Sequence, residues 1–171
     1  MFTLIKLIQS LFGALHSEGT PGQLAAGIVL GSFLGLTPLV NLHNAVIFAA
    51  LVLLNVSFAG GLLGWAVFVP VGFLLDPVFD WIGHTLLLAP SLRGLWTSLD
   101  NTPVIPLTNF NNTVVLGSLV FAIVFAAPLF VATRLGVVRY RATIGERVRQ
   151  SKWYRAIMAS KAYNVYKLFR P

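Results

Sequence analysis

Apolar residues fill this chain in long runs that are interrupted by proline, glycine and asparagine rather than by charges. The stretch from Gly19 to Leu75 contains no Asp, Glu, Lys or Arg, which is not expected of a soluble domain with about 25% charged residues. Before it, apolar residues recur with helical spacing, so residues 1–18 predict an amphipathic helix that lies in the membrane interface. Packing of this stripe against the protein's own helices is the alternative.

The first charge-free segment predicts a hairpin of two short helices. Thr20, Pro21 and Gln23 form a helix-start pattern, with an N-cap, a proline at the first position and a capping-box partner. The helix should end before Pro38, after about 22 Å, which is shorter than the roughly 30 Å hydrocarbon core of a bilayer. A second short helix follows, so residues 20–56 are expected to form a re-entrant hairpin.

Three further segments complete the predicted membrane domain, which we assign to residues 19–136. Residues 58–75 predict a spanning helix and residues 112–134 predict a second one. Between them, residues 76–111 predict a broken interfacial or re-entrant segment, with Asp76 as its N-cap. The expected fold is therefore an all-α integral membrane protein with short, broken and re-entrant helices.

A polar motif occurs twice, and each copy leads into an apolar helix. It reads Pro-Leu-Val-Asn-Leu-His-Asn from Pro38 and Pro-Leu-Thr-Asn-Phe-Asn-Asn from Pro106. In repeat-built transporters, paired broken helices meet near the bilayer midplane and form a site. Two helix N-termini facing one cavity would suit an anion such as a phosphate headgroup. Helix capping and contacts between the hairpins are the alternative. The candidate substrate-binding residues are Asn41, His43, Asn44, Asn109, Asn111 and Asn112.

Few other side chains suggest chemistry. His43 is the one ionisable residue in the charge-free stretch, and such residues are functional candidates inside membranes; a neutral, hydrogen-bonded histidine at a helix start is the plainer interpretation. Asp76, Asp80 and His84 share one helical face, which is weak support for a metal site or a proton relay. No nucleophile–base set, phosphate loop or zinc signature occurs. We therefore expect no enzymatic activity, no metal and no cofactor.

The net charge of +7 is concentrated near the C-terminus. Ten of the twelve Lys and Arg residues lie between Arg134 and Arg170, where Glu146 is the sole acid. The positive-inside rule therefore predicts that residues 137–171 form a basic cytoplasmic tail. Such segments commonly contact anionic lipid, which we favour over nucleic-acid binding. The expected headgroup contacts, on an interfacial helix, are Arg149, Lys152, Lys167 and Arg170.

Three glycines recur at every fourth position of the first apolar helix. Gly27, Gly31 and Gly35 form a ridge without side chains, over which another helix can approach closely. The ridge predicts a helix-packing surface or an interface with a partner protein, in preference to a ligand contact.

Six stretches of the membrane segment form a recognisable set: Gln23-Leu24-Ala25-Ala26-Gly27, Gly31-x-x-x-Gly35-x-x-Pro38, Asn41-Leu42-His43-Asn44, the Asn55 region, Leu75-Asp76-Pro77 and the block from Pro106 to Asn112. Together they resemble the bacterial inner-membrane family called domain of unknown function 2062, in its shorter subfamily. The resemblance covers most of residues 20–135 and implies a small inner-membrane protein with no catalytic residues to carry over. It also implies a place in envelope gene clusters, in some cases beside large periplasmic proteins of lipid-transport type, and hence an envelope or lipid role.

Two functions from different classes fit these patterns. The first, which we favour, is a small inner-membrane subunit or anchor of a larger cell-envelope complex, with a role in phospholipid transport. The second is a self-sufficient, homo-oligomeric carrier or lipid translocase that uses the two Asn motifs as a site for an anionic headgroup. The expected partners are membrane lipids with anionic headgroups, together with a larger envelope protein or further copies of this chain. No nucleic-acid partner is expected.

Overall fold

The computed structural model describes residues 19–143, a part of the chain that is mainly α-helical and contains no strand. Two of its helices, Phe58–Leu88 and Thr113–Thr143, are long and apolar enough to cross a membrane by length and composition. The predicted all-α fold class is thus confirmed. The helices are α1 (Pro21–Leu36), α2 (Leu42–Leu53), α3 (Phe58–Leu88), α4 (Arg93–Asp100) and α5 (Thr113–Thr143), and short 3₁₀ turns at Pro90–Leu92 and Ile105–Thr108 flank α4.

Two groups of predictions lie outside the described residues. They are the interfacial helix at residues 1–18 and the basic headgroup contacts Arg149, Lys152, Lys167 and Arg170. Both stay predictions.

The start and end of α1 follow from its sequence. The Thr20 hydroxyl accepts a hydrogen bond from the Gln23 backbone N–H at 3.2 Å, while the Gln23 side chain accepts from the Thr20 N–H at 2.8 Å. These two bonds form the predicted capping box, with Pro21 at the first helical position. At the other end, Pro38 disfavours a helical conformation for Thr37, which is extended at φ −99° and ψ 148°.

The second helix, α2, brings the chain back to where α1 began. The side-chain amide of Gln23 donates to Asn55 Oδ1 at 2.8 Å, and the N–H of Ser57 donates to the Gln23 carbonyl at 3.0 Å. Helices α1 and α3 therefore start at the same level. Because α1 has 16 residues and α3 has 31, the hairpin reaches about 24 Å along a helix of about 46 Å. The out-and-back path at residues 20–56 is as predicted, and its insertion into a bilayer stays a prediction.

A line of glycines brings α1 and the first half of α3 into backbone contact. A Cβ added to Gly27 would overlap the carbonyl of Ser57, and one added to Gly31 would overlap the carbonyl of Gly61. Further along, a Cβ at Gly35 would lie 2.9 Å from the carbonyl oxygen of Trp65. Because the contacting residues rise together along both helices, α1 and α3 run parallel. The ridge is therefore a packing surface within the chain, and its predicted use as an interface with a partner protein is wrong.

Helix α5 runs antiparallel to both and closes the bundle. A Cβ at Gly117 would overlap the carbonyl of Phe79, and one at Gly83 would overlap that of Thr113. At the other end of α5, Val137 packs against Leu24 of α1. A buried cluster of Leu36, Phe79 and Ala122 joins all three helices.

Two predicted helix boundaries are wrong. We expected a helix to end at Leu75 and Asp76 to cap a new one, but α3 continues through Pro70 and Pro77 to Leu88. An internal proline costs about 3 kcal/mol, and membrane helices tolerate it when neighbours compensate; here the upper half of α3 is held by the fully buried Phe79. Similarly, α5 continues past Arg134 to Thr143.

We expect Gly31→Ala to destabilise the protein, because the added methyl group would push the α1 and α3 backbones apart. Overpacking of this kind costs about 1–3 kcal/mol. Gly136→Ala in α5 is the matched control, since a Cβ there has no neighbour within 4 Å and should be neutral or slightly stabilising. Thermal unfolding of the two purified variants in the same detergent checks this. An equal melting temperature for both would contradict the packing described here.

Candidate functional site

The two Pro-Leu-x-Asn motifs meet in space. The side-chain nitrogen Nδ2 of Asn109 donates a hydrogen bond to Oδ1 of Asn41 at 2.6 Å. The 3₁₀ turn Ile105–Thr108 leads directly into Asn109, which has a left-handed backbone at φ 55° and ψ 32°. Asparagine tolerates this conformation better than most residues. The predicted convergence of the motifs is therefore observed for one pair of residues.

The two motifs do not have the same local structure. Asn41 is extended and immediately precedes α2, and its side chain makes no capping bond to that helix. In the second motif α5 starts three residues later, and Oδ1 of Asn112 accepts the N–H of Val115 at 3.1 Å. Capping is therefore the correct interpretation for Asn112, while Asn41 and Asn109 connect the two turns.

A network of hydrogen bonds fixes the first turn. The carbonyl oxygen of Pro38 accepts from Nδ2 of Asn41 and from Nδ2 of Asn44, each at 2.7 Å. The single O–H of Thr37 is shared between Oδ1 of Asn44 and the carbonyl oxygen of Phe33, both 2.8 Å from Oγ1. Asn44 is buried at 4% exposure. Because an amide nitrogen carries two N–H groups and these bonds use one each, Asn41 and Asn109 keep a donor for a further partner.

His43 lies beside this network without joining it. Within residues 19–143 both of its buried ring nitrogens lack a partner at hydrogen-bond geometry, although the backbone of Thr108 lies close enough to interact with the ring. The plainer interpretation, a neutral histidine that is hydrogen-bonded at a helix start, stays a prediction. His43 also does not line either cavity described below, so the geometry gives it no ligand contact.

A large apolar cavity lies between α2, α1 and the first half of α3. Its volume is about 880 Å³, within the range of about 300–1,000 Å³ that is typical of small-molecule sites. From Asn41 to Leu51 it follows α2 for about 15 Å. The amides of Asn41, Asn44 and Asn109 stand at one end, and the apolar walls include Leu34, Ala45, Phe48, Leu51, Leu62 and Trp65.

The start of α5 does not contribute to this cavity. Neither Asn111 nor Asn112 lines it, and both are exposed. The predicted anion site between two helix N-termini is therefore not formed. The reason is that α5 starts three residues later in its motif than α2 does in the first motif. Its N-terminus therefore lies away from the Asn41–Asn109 pair and is capped by Asn112 instead.

A second, smaller cavity lies on the other side of the turn at Pro38. It has a volume of about 320 Å³, and Asp76 lines it together with apolar residues of α3 and α5. The adjacent Asp80 accepts a short hydrogen bond from the Thr113 hydroxyl, which holds the start of α5. Within residues 19–143 no three His, Cys, Asp or Glu side chains are grouped to hold a metal ion, so the alternative metal site at Asp76, Asp80 and His84 is not formed.

All of the described helices lie within a range of the chain that matches one protein family. The model of a family described as uncharacterized proteins conserved in bacteria, DUF2062, matches residues 7–144. The chain belongs to the DUF2062 family. An uncharacterized protein of Treponema pallidum (strain Nichols) is similar to it, at 28% identity over 148 residues, which cover 86% of this chain and 91% of that protein. No solved structure matches. The predicted resemblance is confirmed.

The sequence identified the polar end of the site but missed the cavity. The repeated motif pointed to Asn41, Asn44 and Asn109. The walls come from α1, α2 and α3, and Leu62 and Trp65 carry no motif. A usable signal was present in Gly61: a Cβ there would lie 2.9 Å from Leu51 Cγ, so this glycine brings the far end of α2 onto α3.

We expect Asn41 and Asn109 to be energetically coupled. Asn41→Ala and Asn109→Ala should each lower the melting temperature, and the double variant should lose less than the sum, with a coupling energy of about 1 kcal/mol. Asn111→Ala is the matched control, because this exposed residue of the same motif makes no hydrogen bond within the described part of the chain. Additive losses in a double-mutant cycle would show that the bond contributes nothing to stability.

Proposed function

We propose that this DUF2062 protein is a small lipid-binding protein of the bacterial inner membrane, and that it holds one hydrocarbon chain of a lipid in the cavity between α2 and α3. The observation that carries the proposal is the 880 Å³ apolar cavity with three asparagine amides at one end. An amphiphile matches this arrangement, with its chain along α2 and its polar group at Asn41 and Asn109. In a bilayer the hydrocarbon chain of a lipid is already surrounded by other lipid chains, so its transfer into the cavity gains little from the hydrophobic effect. Shape complementarity to the cavity and hydrogen bonds to the headgroup would therefore decide binding.

The surface of α2 supports a location in hydrocarbon. Val46, Val52 and Leu53 are 62%, 57% and 81% exposed, a large apolar surface that water would disfavour. The two candidate spanning helices belong to the same bundle. We therefore place the hairpin of α1 and α2 inside the bilayer, beside α3 and α5.

Charge placement supports an orientation. Arg134, Arg139 and Arg141 lie at the end of the bundle where α1 begins, and Arg141 donates to the carbonyl of Gly19 at 2.9 Å. By the positive-inside rule this end, with the C-terminal tail, is cytoplasmic. The hairpin would enter from that side. Its turn lies near Gly72, since a Cβ there would lie 2.7 Å from the Gly35 carbonyl oxygen. That level is about 21 Å along α3, so the amides would lie in the periplasmic half of the bilayer.

Two cellular roles use the same cavity. In the first, the protein is a subunit or anchor of a larger envelope complex and passes lipid between the bilayer and a periplasmic partner. In the second, homo-oligomers carry lipid without a partner. Because the glycine ridge is used inside the chain, a partner would contact another surface, such as α4 and its flanking turns.

Filling the cavity should reduce lipid binding. Ala45 and Ala49 are both exposed on α2 and lie one turn apart, but Ala45 lines the cavity and Ala49 does not. We expect Ala45→Trp to lower the amount of lipid retained per protein severalfold, since the indole would occupy the volume of the chain, while Ala49→Trp should retain lipid like the wild type. Native mass spectrometry after purification in mild detergent measures this. Equal lipid retention by the two variants would show that the cavity is not the lipid-binding site.

The same preparation separates the two roles. If the protein purified from native membranes carries a second protein at fixed stoichiometry, identified by mass spectrometry, it is a subunit. If it is a homo-oligomer with bound lipid, the carrier role holds. A homo-oligomer that contains neither a second protein nor bound lipid would contradict both roles.

A further inference from the structure

We propose that Asp76 and the smaller cavity form a site for a protonated amine, and that the lipid bound by this protein therefore carries an amine-bearing headgroup. This inference rests on the proposed lipid-binding function and specifies which lipid class the site takes. The cavity of about 320 Å³ is lined by Asp76, Phe73 and Val69 of α3, by Val114 of α5 and by the turn at Thr37 and Pro38.

Among residues 19–143 Asp76 makes no hydrogen bond or ion pair, in contrast to Asp80, which accepts from Thr113. It is half-buried in a helix that is apolar enough to span a membrane. A carboxylate among apolar side chains is costly unless it is paired. An ammonium group would supply the opposite charge and up to three N–H donors.

No cation of the described chain can fulfil this role. Its four basic residues are Arg93, Arg134, Arg139 and Arg141, and none of them lines either cavity. Arg134 lies about 18 Å along α5 from Ala122, which packs at the level of Phe79. Among the described residues an anionic headgroup would find no cation at this cavity, and Asp76 would repel it. The geometry thus favours an amine over the anionic headgroup that the motifs suggested.

The two cavities are placed to hold two parts of one molecule. Both are lined by Leu34 and Leu39, so they adjoin on opposite sides of the turn. This turn is exposed, with Leu39 at 58% and Val40 at 91%. A lipid chain along α2 would place its polar group at Asn41 and Asn109, and the end of the headgroup would reach over the turn to Asp76. The amides would then contact the oxygen atoms between chain and amine.

Headgroup competition tests the proposal. The wild-type protein is placed in nanodiscs with equal amounts of phosphatidylethanolamine and phosphatidylglycerol, and the retained lipids are identified by native mass spectrometry. We expect the retained pool to be enriched several-fold in phosphatidylethanolamine. Asp76→Asn should remove this enrichment. Asp76→Glu should keep it, and so should Asp100→Asn, a control on an exposed carboxylate at the end of α4.

A second measurement needs no variant. Replacing phosphatidylethanolamine by phosphatidylcholine removes all three N–H donors, so the enrichment over phosphatidylglycerol should fall. Enrichment of phosphatidylglycerol, an absence of preference in the wild type, or an unchanged preference in Asp76→Asn would overturn the amine site and leave lipid binding intact. Absence of any retained lipid in the wild type would instead overturn the proposed function itself.

Discussion

The contact between the backbones of α1 and α3 is the constraint on which the rest of this structure depends. Glycines on both helices allow it: the carbonyl of Gly61 occupies the space that a side chain on Gly31 would need, and the carbonyl of Ile28 does the same at Gly64. Because the two helices are parallel and start together, this contact sets the depth to which the hairpin reaches. It also places the turn at Pro38 beside Gly72, and thus near the upper part of α3 that carries Asp76.

The cavity is a consequence of the same contact. Helix α2 returns beside a pair of helices that are already packed closely. Its C-terminal half touches α3 through Leu51, at 2% exposure, which lies against Gly61, and through Phe48, whose ring meets that of Phe58 edge to face. At its other end α2 is held by the amide pair of Asn41 and Asn109. An apolar space with a polar end therefore follows from where α2 is attached, and this shape is the basis of the proposed lipid binding.

The repeated motif shows that similar sequences can have different structural roles. Its first copy forms a turn closed by the Pro38 carbonyl, which accepts from two asparagines. Its second copy forms a 3₁₀ turn and a left-handed Asn109, and its last asparagine caps α5. The copies are complementary rather than equivalent: one donates the hydrogen bond that the other accepts. This asymmetry distinguishes the site from the symmetric pair of helix N-termini that the repeat suggested.

The sequence by itself determined the features that depend on neighbours along the chain. The capping box at Thr20, the end of α1 before Pro38 and the glycine ridge were all predicted, because caps, prolines and helical spacing act within one or two turns. Tertiary structure alone decided the continuation of α3 through Pro77, the pairing of Asn41 with Asn109, and the cavities. A proline penalty of about 3 kcal/mol can be offset by helices distant in sequence. A cavity is the space left between such helices. Local sequence patterns therefore determine neither the continuation of α3 nor the cavities.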